Sequence, residues 1–187
     1  GMKLRKLLFE RGEGIRLPAL LFGPDDPSGS PVLYLHGEGK QVDAGPGGPI
    51  ETLVKAGRRV LAVDLRGIGE TRNDSGRSDH ARYVGSDWQD LFGGFLLGRS
   101  HVGMRAEDIL VCSRWLARQG SDDHVEMVAV GRLSVPALHA AVLEPSLFGA
   151  ISIRGGLRSW VDVVRAPLPR DQLANAVHGA LRVYDLP

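Results

Sequence analysis

The sequence predicts a three-layer α/β/α sandwich, with a mostly parallel sheet, helices on both faces and an antiparallel hairpin at the N-terminal end. Three observations lead there. Two apolar runs separated by Arg11, Gly12, Glu13 and Gly14 open the chain as a hairpin. After them, apolar runs of strand length alternate with helix-length segments, the pattern of a parallel sheet covered on both sides. Glycine, 25 of 187 residues, clusters at the ends of the apolar runs and so punctuates them instead of forming a linker. The length suits one domain over residues 1–187.

Residues 4–9 and 15–22 are the two arms of the hairpin. Residues 23–30, GPDDPSGS, are turn-rich, and the run 32–35 that follows has the length and composition of a buried strand. Residues 50–56 read as a helix stopped by Gly57, 59–64 as a strand and 104–118 as a long helix. Residues 125–130 read as a strand, 134–143 as a helix closed by Pro145, and 150–153 as a strand with no successor of similar quality. Segment 72–103 interrupts this alternation with polar residues and then WQDLFGGFLLG. It reads as an excursion over the top of the sheet, packed there in preference to acting as a lid. Residues 157–187 read as a helical tail, with helices at 160–164 and 172–181 separated by Pro167 and Pro169.

Charge and cysteine content narrow the function. There are 23 Lys and Arg against 22 Asp and Glu, spread among one another, so no phosphate-neutralising patch for nucleic acid is readable. The lone Cys112 leaves no internal disulfide and no structural zinc spacing, and its helical position favours core packing. No metal or cofactor motif is read. No apolar run approaches the ~20 residues of a membrane span, and no signal-peptide pattern precedes the hairpin. The expected location is the cytoplasm by default. Gly1 before Met2 reads as a scar of tag removal, with which a secretion signal cut away beforehand is compatible.

Parallel sheets place chemistry at the carboxyl ends of their strands, here 36–40, 64–71, 131–135 and 154–160. The stretches LYLHGEGK, AVDLRGIGET and VAVGRLSVPALHAAVLEP stand at three of these ends, with GMRAEDIL on a helix between the last two. Together they resemble the α/β-hydrolase fold family over residues 14–165, and more narrowly its acetyl xylan esterase and dienelactone hydrolase branch. The resemblance implies strands ordered 1, 2, 4, 3, 5, 6, 7, 8, of which this chain lacks the last two. It also implies carboxylic ester hydrolysis, with a small ester or an acetylated carbohydrate as ligand.

Residue by residue, the match is incomplete. An elbow GxSxG holds its serine on a strained strand-to-helix turn. Here Gly131 takes the first glycine, Leu133 the nucleophile position and Val135 the second glycine. Leucine cannot attack a carbonyl. Ser134 lies one residue late, and as nucleophile it would need Arg132 and Pro136 in place of both glycines. Its expected role is a helix N-cap, the hydroxyl accepting from a first-turn amide. The oxyanion-type donors would be the backbone N–H groups of Glu38 and Val135, although the Glu38 carboxylate would face developing negative charge. His36 and Gly37 are expected to make the turn out of their strand. Asp64 and Arg66, with Gly67 and Gly69 in the same tight loop, are expected to form a partly buried pair or loop hydrogen bonds.

A base is harder to find. After position 133 only His139 and His178 remain. At about 100° per residue, His139 sits about 140° round its helix from Ser134, and His178 has no strand before it. Asp162 could act as the acid but has no readable histidine partner. Ser78, Asp79 and His80 adjoin by chance, since triad members converge from separate loops.

Two readings follow. In one, the chain is of esterase lineage, is inactive or nearly so, and serves as a binding or scaffolding module. In the other, it is an active carboxylesterase or acetylesterase using Ser134, oriented by Asp162, with a histidine from a non-standard place. Either a naturally shortened domain or an excised piece of a longer protein fits the missing strands. With no strand 7, residues 150–153 become a sheet edge, and unpaired edges are normally covered. The expectation is that the tail 157–187 shields it, or that two chains form a homodimer through this strand or the tail.

Overall fold

The computed structural model of the chain describes residues 2–73, 85, 87–120, 123–168 and 171–187. Six strands form one sheet: β1 (Met2–Arg11), β2 (Ile15–Pro24), β3 (Val32–His36), β4 (Val60–Val63), β5 (Val125–Val130) and β6 (Phe148–Arg154), in the order β1-β2-β4-β3-β5-β6. The hairpin is continuous, with Met2 opposite Pro24 and Arg11 opposite Ile15 around a 3-10 turn at Gly12–Gly14. β2 joins β4 antiparallel, and β4, β3, β5 and β6 run parallel. This is the order that the sequence resemblance implies for strands 1 to 6.

The helices are α1 (Pro49–Lys55), α2 (Trp88–Leu96), α3 (His101–Ala117), α4 (Ser134–Leu143) and α5 (Trp160–Arg165). Side chains of the central strands alternate between two cores, as a period of two requires. Leu33, Leu35, Leu61, Val63, Met127 and Ala129 face α3 and α4. Val32, Tyr34, Val60, Ala62 and Val128 face α1 through Ile50 and Val54. Each fully buried Leu, Ile or Val contributes roughly 1.5–3 kcal/mol, and apolarity on both faces explains why these strands read as unbroken apolar runs. Cys112 is fully buried in the first core, where burial and then Asp108 push its thiol pKa up, as befits packing and not reactivity.

Three expectations are corrected. Helix α3 starts at His101, not 104, because Ser100 caps it by accepting the Gly103 amide at 3.1 Å. Residues 172–181 are not a helix: two 3-10 turns, Leu173–Asn175 and Ala180–Arg182, are interrupted at Gly179, where φ is +75°. Among the described residues the tail also leaves the sheet edge bare. Its Trp160, Ala180 and Leu186 pack against Val102 of α3 and Val135 of α4, whereas β6 is exposed from Gly149 to its end. Among the described residues no strand follows β6, and no helix is long and apolar enough to cross a membrane.

Candidate functional site

The carboxyl ends of β3, β4 and β5 meet at one face of the sheet. After β3 the Gly37 amide donates to Val130 O at 3.0 Å, and the Glu38 amide donates to His36 Nδ1 at 3.1 Å. Arg132, from the turn after β5, lies over this loop: Nε donates to Gly37 O at 2.9 Å and Nη2 to Glu38 Oε1 at 2.9 Å. A Cβ at Gly37 would stand 2.9 Å from Arg132 Cγ, so the arginine packs on the bare glycine. Arg72 adds a second bond to the Glu38 carboxylate at 3.3 Å. These residues and Asp171 line a cleft of about 400 Å³. Asp171 holds φ at +55°, a conformation costly for most side chains but tolerated by Asp. Two arginines therefore hold the Glu38 carboxylate. The Glu38 amide, expected to be an oxyanion donor, is already spent on His36.

Asp64, directly after β4, holds its loop by hydrogen bonds, one of the two roles expected of it. Its buried carboxylate accepts the Lys40 amide at 2.6 Å, Lys40 Nζ at 2.6 Å and the Glu70 amide at 3.0 Å. Burial opposes the Lys40 charge, but its hydrogen bonds to Asp64 and Glu70 outweigh that and raise its pKa. Any side chain at Gly69 would run into the Asp64 carboxylate, which is why this loop requires glycine there. Arg66 does not pair with Asp64. It forks onto Asp108 of α3, with Nε and Nη2 each 2.7 Å from an oxygen, and Arg11 reaches the same carboxylate at 2.5 Å. The buried Asp108 is the stronger attractor because it offers both oxygens to a planar fork.

At the turn from β5 into α4 the backbone is relaxed. Gly131 takes φ +66°, and Leu133 sits at φ −85°, ψ −2°, an ordinary conformation, with its side chain fully buried in the main core. Val135, the residue read as standing at the second-glycine position, packs on Val102 and Trp160. Ser134 does not cap α4. It is the first helical residue, fully buried, and its Oγ accepts the Leu157 amide at 3.3 Å from the loop after β6. That loop comes close enough that a Cβ at Gly156 would lie 2.5 Å from Ser134 Cβ. With helical φ and ψ, Ser134 cannot turn its side chain back to cap its own helix.

The remaining candidates do not converge. His139 is held by Val135 O at 2.8 Å and the Tyr184 hydroxyl at 2.7 Å, within a ring cluster with Trp160. Asp162 is exposed on α5 and meets no histidine among the described residues. His178 is exposed in the tail. Ser78, Asp79 and His80 lie outside the described residues. Among the described residues no three His, Cys, Asp or Glu side chains gather to hold a metal ion.

A polar cluster beside the cleft escaped the sequence reading. Buried Asp87, just before α2, accepts Arg105 Nη2 at 2.8 Å, with Arg132 Nη1 at 3.8 Å and His101 Nε2 at 3.9 Å. Arg105, fully buried, also donates Nε to Arg66 O at 3.0 Å. Burial, then the charge of Arg105, lowers the His101 pKa to about 3 against the weaker pull of Asp87, with Arg66 adding least. Burial and then Asp87 raise the pKa of neighbouring Asp90. The available signal was the i, i+4 spacing of His101 and Arg105, which places both on one helix face.

No protein-family model and no curated protein matches the chain. Solved structures do. A thermostable carboxyl esterase from Bacillus coagulans superposes with a TM-score of 0.56 at 20% identity, covering 80% of this chain and 43% of that one. A dienelactone hydrolase from Anabaena variabilis gives 0.55 at 23% identity, covering 83% and 64%. A Pyrococcus furiosus esterase gives 0.56 at 16% identity, covering 83% and 50%. The chain thus has the α/β-hydrolase fold and spans between 43% and 64% of the length of these structures.

Proposed function

We propose that this chain is an α/β-hydrolase-fold protein of esterase lineage, similar to acetyl xylan esterases, that hydrolyses esters poorly or not at all. Its cleft at His36, Glu38, Arg72 and Arg132 then holds a small polar ligand such as an ester or an acetylated carbohydrate. One observation carries the reading: Leu133, at the nucleophile position, is buried in the core on unstrained backbone. Neighbouring residues agree with it. The Ser134 hydroxyl is buried against the Leu157 amide, the Glu38 amide is taken by His36, and Val135 occupies the space a second glycine would leave open. The cleft wall is built of charged side chains already cross-bonded, which suits a ligand with several hydroxyl or carbonyl groups. A second copy of the chain, paired along the bare β6, is the proposed partner.

The test is hydrolysis of p-nitrophenyl acetate by the wild type against Ser134→Ala. The expected result is no difference between them. Turnover abolished by the substitution would replace this reading with that of a working esterase using Ser134.

A further inference from the structure

Helix α2 and the residue after it present apolar side chains to the outside: Phe92, Phe95, Leu96 and Leu97 are 49, 67, 85 and 78% exposed. Beside it, between α2, the start of α3 and the tail, lies a cavity of about 670 Å³, within the size range of small-molecule sites. Leu91, Phe92, Phe95 and Val177 make it apolar along most of its wall, and Ser100 and His101 make one end polar.

That polar end is unfinished. The His101 side chain is 1% exposed, yet neither ring nitrogen has a hydrogen-bond partner among the described residues. Its nearest carboxylate, Asp87 at 3.9 Å, is committed to Arg105 at 2.8 Å, with Arg132 also close. A buried imidazole without partners is costly and calls for a missing group. The ring is neutral at physiological pH and so offers one N–H. Ser100 Oγ occupies only the Gly103 amide, which leaves the first-turn amides of His101 and Val102 without an intrahelical acceptor at the positive end of a 17-residue helix. Arg99, 4.0 Å from Glu107, stands at the rim with His178.

We infer that this cavity binds an amphipathic carboxylate, its alkyl or aryl body along Leu91, Phe92, Phe95 and Val177 and its carboxylate on the His101 ring and the α3 N-terminus. Two features together select that class. The apolar wall alone would accept any oily molecule, and the donor end alone any small anion. Their separation along one cavity asks for both ends in one ligand. The negative charge of Asp87 behind the ring is offset by Arg105 and Arg132, so it does not repel the carboxylate decisively.

The test is titration of the full chain with octanoate, octanol and acetate, followed by amide chemical shifts. Octanoate should saturate about tenfold more tightly than octanol, the value of a charge-assisted hydrogen bond set, and acetate should not saturate. Phe95→Ser should weaken octanoate about fivefold or more, and Leu96→Ser, on the same helix but off the cavity, should leave it unchanged. His101→Gln should retain octanol binding and lose the preference for octanoate; if it fails to fold, the other arms still decide. Equal affinity for octanoate and octanol, no saturation by octanoate, or equal damage from Phe95→Ser and Leu96→Ser would overturn the inference. Phe95-dependent self-association without octanoate binding would overturn it too, assigning this face to a protein contact. These readouts report binding away from the cleft, so they do not depend on whether esters are hydrolysed.

Discussion

Asp64→Ala tests what holds the top of the sheet together. The carboxylate is 1% exposed and takes three donors, the amides of Lys40 and Glu70 and the Lys40 ammonium, itself 3% exposed. Removing it strands a buried cation beside the exposed Glu70 carboxylate alone. Breaking a buried pair in this way costs about 3–5 kcal/mol. Each amide left without an acceptor adds to that where water cannot reach it. We therefore expect about 4 kcal/mol, which for a domain of this size is a fall in melting temperature of about 8–16 °C. Urea unfolding is the assay, read at constant slope so that the midpoint shift measures stability. Lys40→Met should suffer less, and Lys40→Met with Asp64→Ala should recover more than about 1 kcal/mol relative to the sum of the single changes, because the stranded charge is gone. The lysine pKa is raised in the fold, so the lysine's contribution is intact at neutral pH and is lost as pH rises beyond the ordinary value of 10.5. A loss under about 1 kcal/mol for Asp64→Ala, or strict additivity in the double change, would refute this account of the loop.

Three further outcomes are expected. Leu133→Ser with Val135→Gly supplies the elbow residues of the proposed reading but no base, so p-nitrophenyl acetate is not expected to be turned over; an active double variant would require a histidine, whereas among the described residues none converges on this turn. His101 has a folded pKa of about 3, below its unfolded value near 6.5, so the unfolded chain takes up the proton first and stability should fall as pH drops from about 6.5 towards 3, by up to ~1.4 kcal/mol per unit. His101→Gln should flatten that slope in pH-dependent urea titrations, and an unchanged slope would remove His101 as its source. Light scattering should find dimers that Ile151→Lys, in the middle of the bare β6, converts to monomers; a wild type that is monomeric at high concentration would defeat the proposed edge pairing.

The layered fold was legible because it depends on apolar periodicity, and strands buried on both faces carry that signal at full strength. Helix α4, read as residues 134–143, begins and ends where the sequence puts it, at a turn set by Gly131 and a stop before Pro145. Where the signal is short, the reading failed. Residues 172–181 have apolar spacing that suits a helix, but Trp160 Nε1 donates to Asn175 O at 3.2 Å, and that tertiary bond, with Gly179 beyond it, favours two separate 3-10 turns. Spacing records which residues are apolar. It does not record which carbonyl another element will claim.

The polar site was harder to read for a related reason. Asp64 and Arg66 stand two apart and invite pairing, yet each finds its partner on a remote segment, Lys40 for one and Asp108 for the other. Asp87 directly before a helix looks like a cap, but its side chain makes no cap bond because Arg105 takes it. In every instance the winning partner is the one that lets a buried charge meet its opposite with good geometry, since leaving such a charge unpaired is the most expensive alternative in a packed interior. Leu133 belongs to the same logic from the apolar side. Once a leucine stands at the turn, the core offers it more than the cleft does. The backbone then needs no strain to present it, Ser134 becomes free to bind the Leu157 amide, and Val135 can fill the space left for the tail. The three positions therefore form one packing solution, and Leu133→Ser alone would bury a hydroxyl in that core without presenting an exposed nucleophile.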